Sequence, residues 1–350
     1  MDEMSIELNQ ANKRLVWDFW ASLEASGPDA AEHVATSCMA PDMPWHGPDP
    51  INDLTGASEF ANRYWRPLLR AFPDLRRSCH MFLGGRSSGN PDGRGDGRMW
   101  VGGTGYFTGT FTRDWLSISP NGREVNIRWG ETSCVENGRI TETYVLLDVV
   151  DLMMQAGFKI LPPTQGRDGV YPPPLDDDAI FLEPQDQRES DFTLDMIRRF
   201  IYDALNVYDE ENLESMGIAD YFHPNVRWYG PGGIGACFGL KEFEDLHQRH
   251  WLHAFPDRSV QPLDNLFAEG NYTAAAGWHG VKATHLGKYL GCPATGGPLG
   301  VNGLDFWRRS GDQFIENWVF VDMLHLFRQF GVDLLKRISP YGDSSSHHLS

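Results

Sequence analysis

Two blocks of this 350-residue chain recur at one spacing. Trp45-His46-Gly47-Pro48 returns as Trp228-Tyr229-Gly230-Pro231, and Ala71-Phe72-Pro73-Asp74 returns as Ala254-Phe255-Pro256-Asp257, each 183 residues further on. Gly56 with Gly239, Glu59 with Glu242, Phe60 with Phe243 and Arg66 with Arg249 keep the same register. Later the separation becomes 174, pairing Glu142 with Glu316, Asp148 with Asp322, and Gln155-Ala156-Gly157 with Gln329-Phe330-Gly331. Whatever half of this chain folds into is therefore built twice. The first copy holds about nine extra residues, assigned to the Gly-, Asn-, Asp- and Pro-rich stretch from Gly84 to Gly97, which reads as a long hairpin loop at the surface.

Within the first copy, Leu15, Phe19 and Leu23 form the apolar stripe of a helix over 9–25, which Gly27-Pro28 ends. A short helix over 29–37 follows, and the two prolines around Trp45 allow at most an edge strand or an extended turn. Phe60, Tyr64, Leu68 and Phe72 mark a helix over 58–71, after which strands are expected near 76–83, 99–111, 125–134 and 140–148. The second copy repeats the order with helices at 194–208, near 210–216 and at 240–254, then strands up to Asp322. Helices followed by a run of hairpin-linked strands give an α+β fold with a mostly antiparallel sheet. The expected organisation is a first domain over 8–158, a Pro-rich acidic linker over 159–192, a second domain over 193–338 and a disordered tail over 339–350.

Composition excludes several classes of function. A net charge of −18 and a pI near 5.0 would repel a phosphate backbone, so nucleic acid is not an expected partner. The five cysteines are far apart and form no Cys-x-x-Cys pair, which argues against a disulfide framework or a zinc site and fits a reduced, cytoplasmic setting. The acidic start and the absence of a long apolar run give no expectation of a signal peptide or a membrane span. His247, His250 and His253 have helical spacing but no carboxylate to complete a ligand set, so no metal is expected. Neither a phosphate-binding glycine loop after a strand nor a Gly-x-Ser-x-Gly elbow occurs, and no cofactor is expected.

The candidate chemistry lies at the end of each copy. On a strand, alternate side chains share a face, so Glu316, Trp318, Phe320 and Asp322 form one row, and Glu142, Tyr144, Leu146 and Asp148 its echo. If such a row faces a cavity, desolvation raises the carboxyl toward neutrality and suits it to acid or base work. The competing reading is that Asp148 and Asp322 cap the helices that follow them.

The Trp-x-Gly-Pro turn, the Phe-Pro-Asp helix end, the segment from Thr284 to Gly296 and Phe314-Ile315-Glu316-Asn317-Trp318-x-x-x-Asp322 followed by Leu326-Phe327-Arg328-Gln329-Phe330-Gly331 resemble SnoaL-like polyketide cyclases of the nuclear-transport-factor-2-like superfamily. The resemblance covers nearly all of each half and is most complete over 194–338. It implies, twice in one chain, a cone-shaped curved antiparallel sheet wrapped around N-terminal helices, with a pocket at its open end. It also implies that sheet faces pair between domains as an intramolecular pseudo-dimer, and it leaves a homodimer of the whole chain open. The family's acid/base aspartate falls on Asp322 and Asp148, which would remove a proton next to a carbonyl so that a ring can close. Its partner histidine is present as His285 and replaced by Phe111 in the first copy. Glu316, Trp318, Tyr229, Trp228, Glu142, Tyr144, His46 and Trp45 are the expected substrate contacts. The implied activity is a cofactor-free cyclase or isomerase acting on a small, apolar, carbonyl-bearing, polyketide-like molecule. The alternatives are a non-catalytic ligand-binding or scaffolding protein and an epoxide-hydrolase-like or dehydratase activity.

Overall fold

The computed structural model describes residues 3–175, 179–207, 212–213 and 217–338. The expected tail over 339–350, the acidic run Asp176–Asp178 and most of the helix expected near 210–216 lie outside the described residues.

The first half opens with helix Glu3–Cys38, broken at Gly27 (φ 68°, ψ 177°) where Gly-Pro was expected to stop it. The segments Gly56–Glu59, Phe60–Trp65 and Arg66–Ala71 follow one another as the next helix, its middle wound as a π-helix. Two short strands precede that second helix, β1 (Pro44–His46) and β2 (Leu54–Thr55), and four follow it, β3 (Arg76–Arg86), β4 (Met99–Thr110), β5 (Glu124–Glu136) and β6 (Arg139–Leu147), in the sheet order β2-β1-β6-β5-β4-β3. The second half contributes β7 (Phe222–Tyr229), β8 (Ala236–Phe238), β9 (Ser259–Val260), β10 (Asn265–Glu269), β11 (Tyr272–Thr284), β12 (Pro298–Ser310) and β13 (Gln313–Val321). Its order is β10-β11-β12-β13-β7-β8, with β9 on β11.

The two sheets follow one path. In each, the Trp-x-Gly-Pro strand runs parallel to the last strand, β1 on β6 and β7 on β13, and every other pairing is antiparallel. Trp129 faces Leu147 across one ladder and Gly303 faces Val321 across the other, as the 174-residue separation requires. The strand through Trp45 is not at the edge: it lies between β2 and β6. Pro44 begins it and Pro48 follows it, so neither proline removes a ladder donor from its middle.

Each sheet is buried on both faces. One face packs on the helices of its own half, through Val16, Phe19, Phe60 and Leu68 in the first and Phe200, Phe243 and Leu252 in the second. The other face packs on the opposite sheet, where Leu83, Trp100, Tyr144 and Leu146 share a cluster with Phe267, Phe306, Trp318 and Phe320. Polar bonds pin this seam, among them Lys13 Nζ to Glu269 Oε1 at 2.6 Å. The loop expected to be free surface also reaches across it. The Ser88 amide donates to the Leu266 carbonyl at 2.8 Å and the Leu263 amide to that of Gly89 at 3.1 Å. A side chain at Gly89 would place its Cβ 2.5 Å from the Leu263 oxygen, so the close approach of the two backbones requires glycine. Helix Gln187–Arg199 begins inside the stretch expected as linker, capped by Asp186, so the second half's first helix starts earlier than expected. The described part of the stretch before it is tied down: the amides of Phe82 and Phe181 donate to the carbonyls of Ala179 and Phe82, and Tyr171 Oη donates to the Gly230 carbonyl at 2.9 Å.

Candidate functional site

The rows singled out in the sequence face the seam between the sheets. Asp148 Oδ1 accepts from the Asp151 amide and caps helix Val149–Gln155, while its Oδ2 accepts from the Gly232 amide of the other half at 2.9 Å. Asp322 does the same in reverse, capping Met323–Gln329 through His325 N and accepting from the Asp49 amide at 2.9 Å. Burial pushes the Asp322 carboxyl up to about 7, against the hydrogen bonds of those two amides. That raised value comes from the domain seam. Asp322 is not among the residues lining the cavity described below.

The remaining expected residues scatter. Glu316 is fully buried and paired with Arg308 at 2.8 Å, and Trp318 stacks on Tyr229 with ring centres 5.2 Å apart in the seam. Glu142 is held down to about 2, because hydrogen bonds from His46, Arg98 and Tyr144 outweigh a burial that favours the neutral acid. His46 lies flat on Tyr144 at 4.4 Å and bonds Asp53 at 3.0 Å, half-buried at the seam's edge. His285 is buried beneath Phe330 at 4.0 Å, with Nδ1 3.3 Å from the Thr295 hydroxyl, and burial holds it neutral. Trp45 packs inside the first half against Tyr64. Trp228 alone among these residues lines the cavity.

That cavity, of about 180 Å³, lies inside the second half between the sheet's inner face and its own helices. Phe200, Phe222, Trp228, Phe243, Trp251 and Tyr289 supply its aromatic walls. Alternation along β12 sends Val301, Gly303, Asp305 and Trp307 inward, and along β13 Asn317, Val319 and Val321. Asp305 lines the cavity and is partly buried. Burial pushes it up to about 7, against the hydrogen bond of the Asn317 amide and the charge of Arg128. His247 also lines the cavity and stacks on Trp228 with centres 4.1 Å apart. Burial and the neighbouring Arg258 push its imidazole down to about 3, so it is neutral at physiological pH. Gln248 and Arg258 complete the polar part of the lining. A carboxyl that burial raises toward 7, on a largely apolar lining that also carries the Asn317 amide and the neutral His247, can exchange protons with a guest in either direction.

The first half carries an acid at the equivalent strand position. Glu131 faces Gly103 across β4 and β5 as Asp305 faces Ala275 across β11 and β12. Here the interior is filled, leaving about 10 Å³. Trp20 Nε1 donates to Glu131 Oε1 at 2.8 Å and the Ser133 hydroxyl to the same oxygen at 3.1 Å. The Arg77 guanidinium lies between Trp20 at 4.5 Å and Trp129 at 4.4 Å. Asp305 and Glu131 were not singled out in the sequence, although their 174-residue separation matches that of the repeat and both interrupt apolar strands.

Among the described residues, no group of three or more His, Cys, Asp or Glu side chains is arranged to hold a metal ion. No helix of the described residues is long and apolar enough to cross a membrane.

Residues 196–330 match the family model for SnoaL-like polyketide cyclases. Among solved structures, a protein provisionally named a SnoaL-like polyketide cyclase, from Jannaschia sp. CCS1, is 16% identical over 43% of this chain and 99% of its own, with a TM-score of 0.38. An NTF2-like protein from Burkholderia thailandensis E264 is 20% identical over 41% of this chain and 95% of its own, with a TM-score of 0.31. TsrD from Streptomyces laurentii is 23% identical over 42% and 97%, with a TM-score of 0.32. No curated protein matches the chain.

Proposed function

We propose that this chain, which carries a SnoaL-like polyketide cyclase domain over residues 196–330, binds a small, largely apolar, carbonyl-bearing molecule in the cavity of that domain and moves a proton on it through Asp305. One observation carries the reading: the Asp305 carboxyl, raised to about 7, opens onto an aromatic-walled cavity. The ionised form takes a proton from the carbon next to the guest's carbonyl, and the resulting acid returns it to oxygen or to another carbon. Isomerisation and ring closure share that first step. The Asn317 amide holds the carboxylate, Trp228 stacks on the guest, and the neutral His247 offers a hydrogen bond to the enolate oxygen. The proposal moves the acid/base role from Asp322 and Asp148, whose oxygens bond backbone amides at the seam, to Asp305, and keeps Trp228 as a substrate contact.

The test follows the Asp305 carboxyl by NMR pH titration, identified by its loss in Asp305→Asn, alongside deuterium wash-in next to the carbonyl of a panel of apolar cyclic ketones. A midpoint near 7 and wash-in that disappears in Asp305→Asn support the reading. A midpoint in the ordinary carboxylate range overturns it. Binding of the ketones with no wash-in, or with wash-in unaffected by Asp305→Asn, overturns the catalytic role of Asp305.

A further inference from the structure

Arg128, on β5 of the first domain, has no part in that chemistry, yet its side chain reaches into the neighbouring half. Its counterpart in the repeat is Asn302: the Arg128 carbonyl accepts from the Asp148 amide at 2.9 Å, and the Asn302 carbonyl from the Asp322 amide at 3.0 Å. The side chains then differ. Asn302 Oδ1 accepts from the His279 amide at 2.9 Å and stays within its own domain. Arg128 crosses the seam, donating from Nη1 to the Tyr229 carbonyl at 3.0 Å and from Nη2 to the Val319 carbonyl at 2.8 Å and to Asp148 Oδ2 at 3.2 Å. The guanidinium lies 4.2 Å over Phe320 and 5.0 Å from the ring of Tyr171 in the linker.

Both carbonyls belong to the frame of the cavity. Tyr229 on β7 follows the wall residue Trp228. Val319 on β13 lines the cavity and pairs directly with Asp305 across the ladder. We propose that Arg128 of the first domain is a positioning residue for the second domain's cavity, bridging β7 and β13 from behind and setting a fixed positive charge at the back of the Asp305 carboxyl. The bridge runs one way, because Asn302 carries no charge to return. A planar fork suits the task, since two carbonyls on adjacent strands can be held at once while the charge stays fixed. The proposal rests on the reading of Asp305 given above. The groups that bear on the titration are Asp148, Asp151, Tyr106 and Tyr171 around Arg128, Asn317 beside Asp305, and His247, Arg258 and Tyr289 on the far walls.

The experiment titrates Asp305 by NMR in the full-length wild type, in Arg128→Lys and Arg128→Gln, and in Arg128→Gln placed on an Asp148→Asn background. The last variant removes both members of the buried pair, so no unpaired charge is left to prevent folding. Loss of the guanidinium raises the Asp305 midpoint by about half a pH unit or more, in either background, while Arg128→Lys stays closer to wild type. A midpoint unchanged in the folded glutamine variants overturns the role of Arg128 and leaves Asp305 standing. A wild-type midpoint in the ordinary carboxylate range overturns both, so the two failures are distinguishable. A purely structural arginine would lower the unfolding midpoint of the chain without displacing this titration.

Discussion

The same strand position carries a buried acid in both halves, and the surroundings give it opposite fates. Glu131 has Gly103 across the ladder, where a side chain would come within 2.7 Å of the Trp20 ring, so the space beside the acid is taken by that indole. Its oxygen is committed to Trp20 and Ser133, and Arg77 supplies a counter-charge packed between aromatic faces. Asp305 has Ala275 across the ladder and open space beyond it. A buried carboxyl is thus structural when donors and packed rings take up the space around it, and available for chemistry when one side of it meets an enclosed space.

Four experiments break or sharpen that contrast. The largest difference is in rate: Asp305→Asn should lower ketone deuterium wash-in by about 10²–10⁴, while Glu131→Gln leaves it near the wild-type value. Equal losses in the two variants would end the distinction between the halves. Next comes stability. Trp20→Ala empties the filled interior and should cost about 3–5 kcal/mol in urea unfolding. The same variant, assayed for ketone binding, asks whether lack of space is all that silences the first half.

Third is the pH dependence of stability. The folded-state value of Asp305, about 7, lies above that of an unfolded aspartate, so its contribution is complete below about pH 4 and is lost as pH rises through 7. Asparagine stays neutral throughout. Asp305→Asn should therefore match wild type near pH 4 and exceed it by about 1–4 kcal/mol at pH 8, measured by thermal or urea unfolding. No gain at pH 8 would mean that the carboxylate is better solvated than its surroundings indicate. The smallest expected effect is on stability in Ala275→Leu, which fills the cavity beside Asp305. It should change stability by about 1–3 kcal/mol or less while abolishing ketone binding by isothermal calorimetry.

Much of the architecture was legible in the sequence because it is written twice. The repeat spacings carried the pairing of elements, and Gly27-Pro28 marked the helix break at the right residue. Asp148 and Asp322 were readable as caps from the apolar helices behind them. Alternation correctly put Glu316, Trp318 and Phe320 on one face, but could not say which. In a sheet buried on both sides, the face toward another domain and the face toward a cavity are equally apolar, so periodicity carries no sign. For the same reason the strand pattern does not distinguish Asp305, next to Phe306 on β12, as a cavity residue, nor the Trp318 row as a seam. His285 shows a related limit: burial by Phe330 comes from the end of helix Met323–Gln329, two strands further on, and leaves no trace in the local pattern. The glycine-rich loop read as surface because its partner, the backbone around Leu263 and Leu266, has no sequence signature of contact.

The reciprocal caps have a consequence for how the molecule comes apart. Asp148 and Asp322 each divide their two oxygens between starting a helix in their own half and holding a backbone amide in the other. Separating the halves would strip one bond from each cap and expose an apolar sheet face in the same step. Local fraying at either helix start and opening of the seam are then one event, so the two copies share a single cooperative unit of unfolding although each contains a complete sheet.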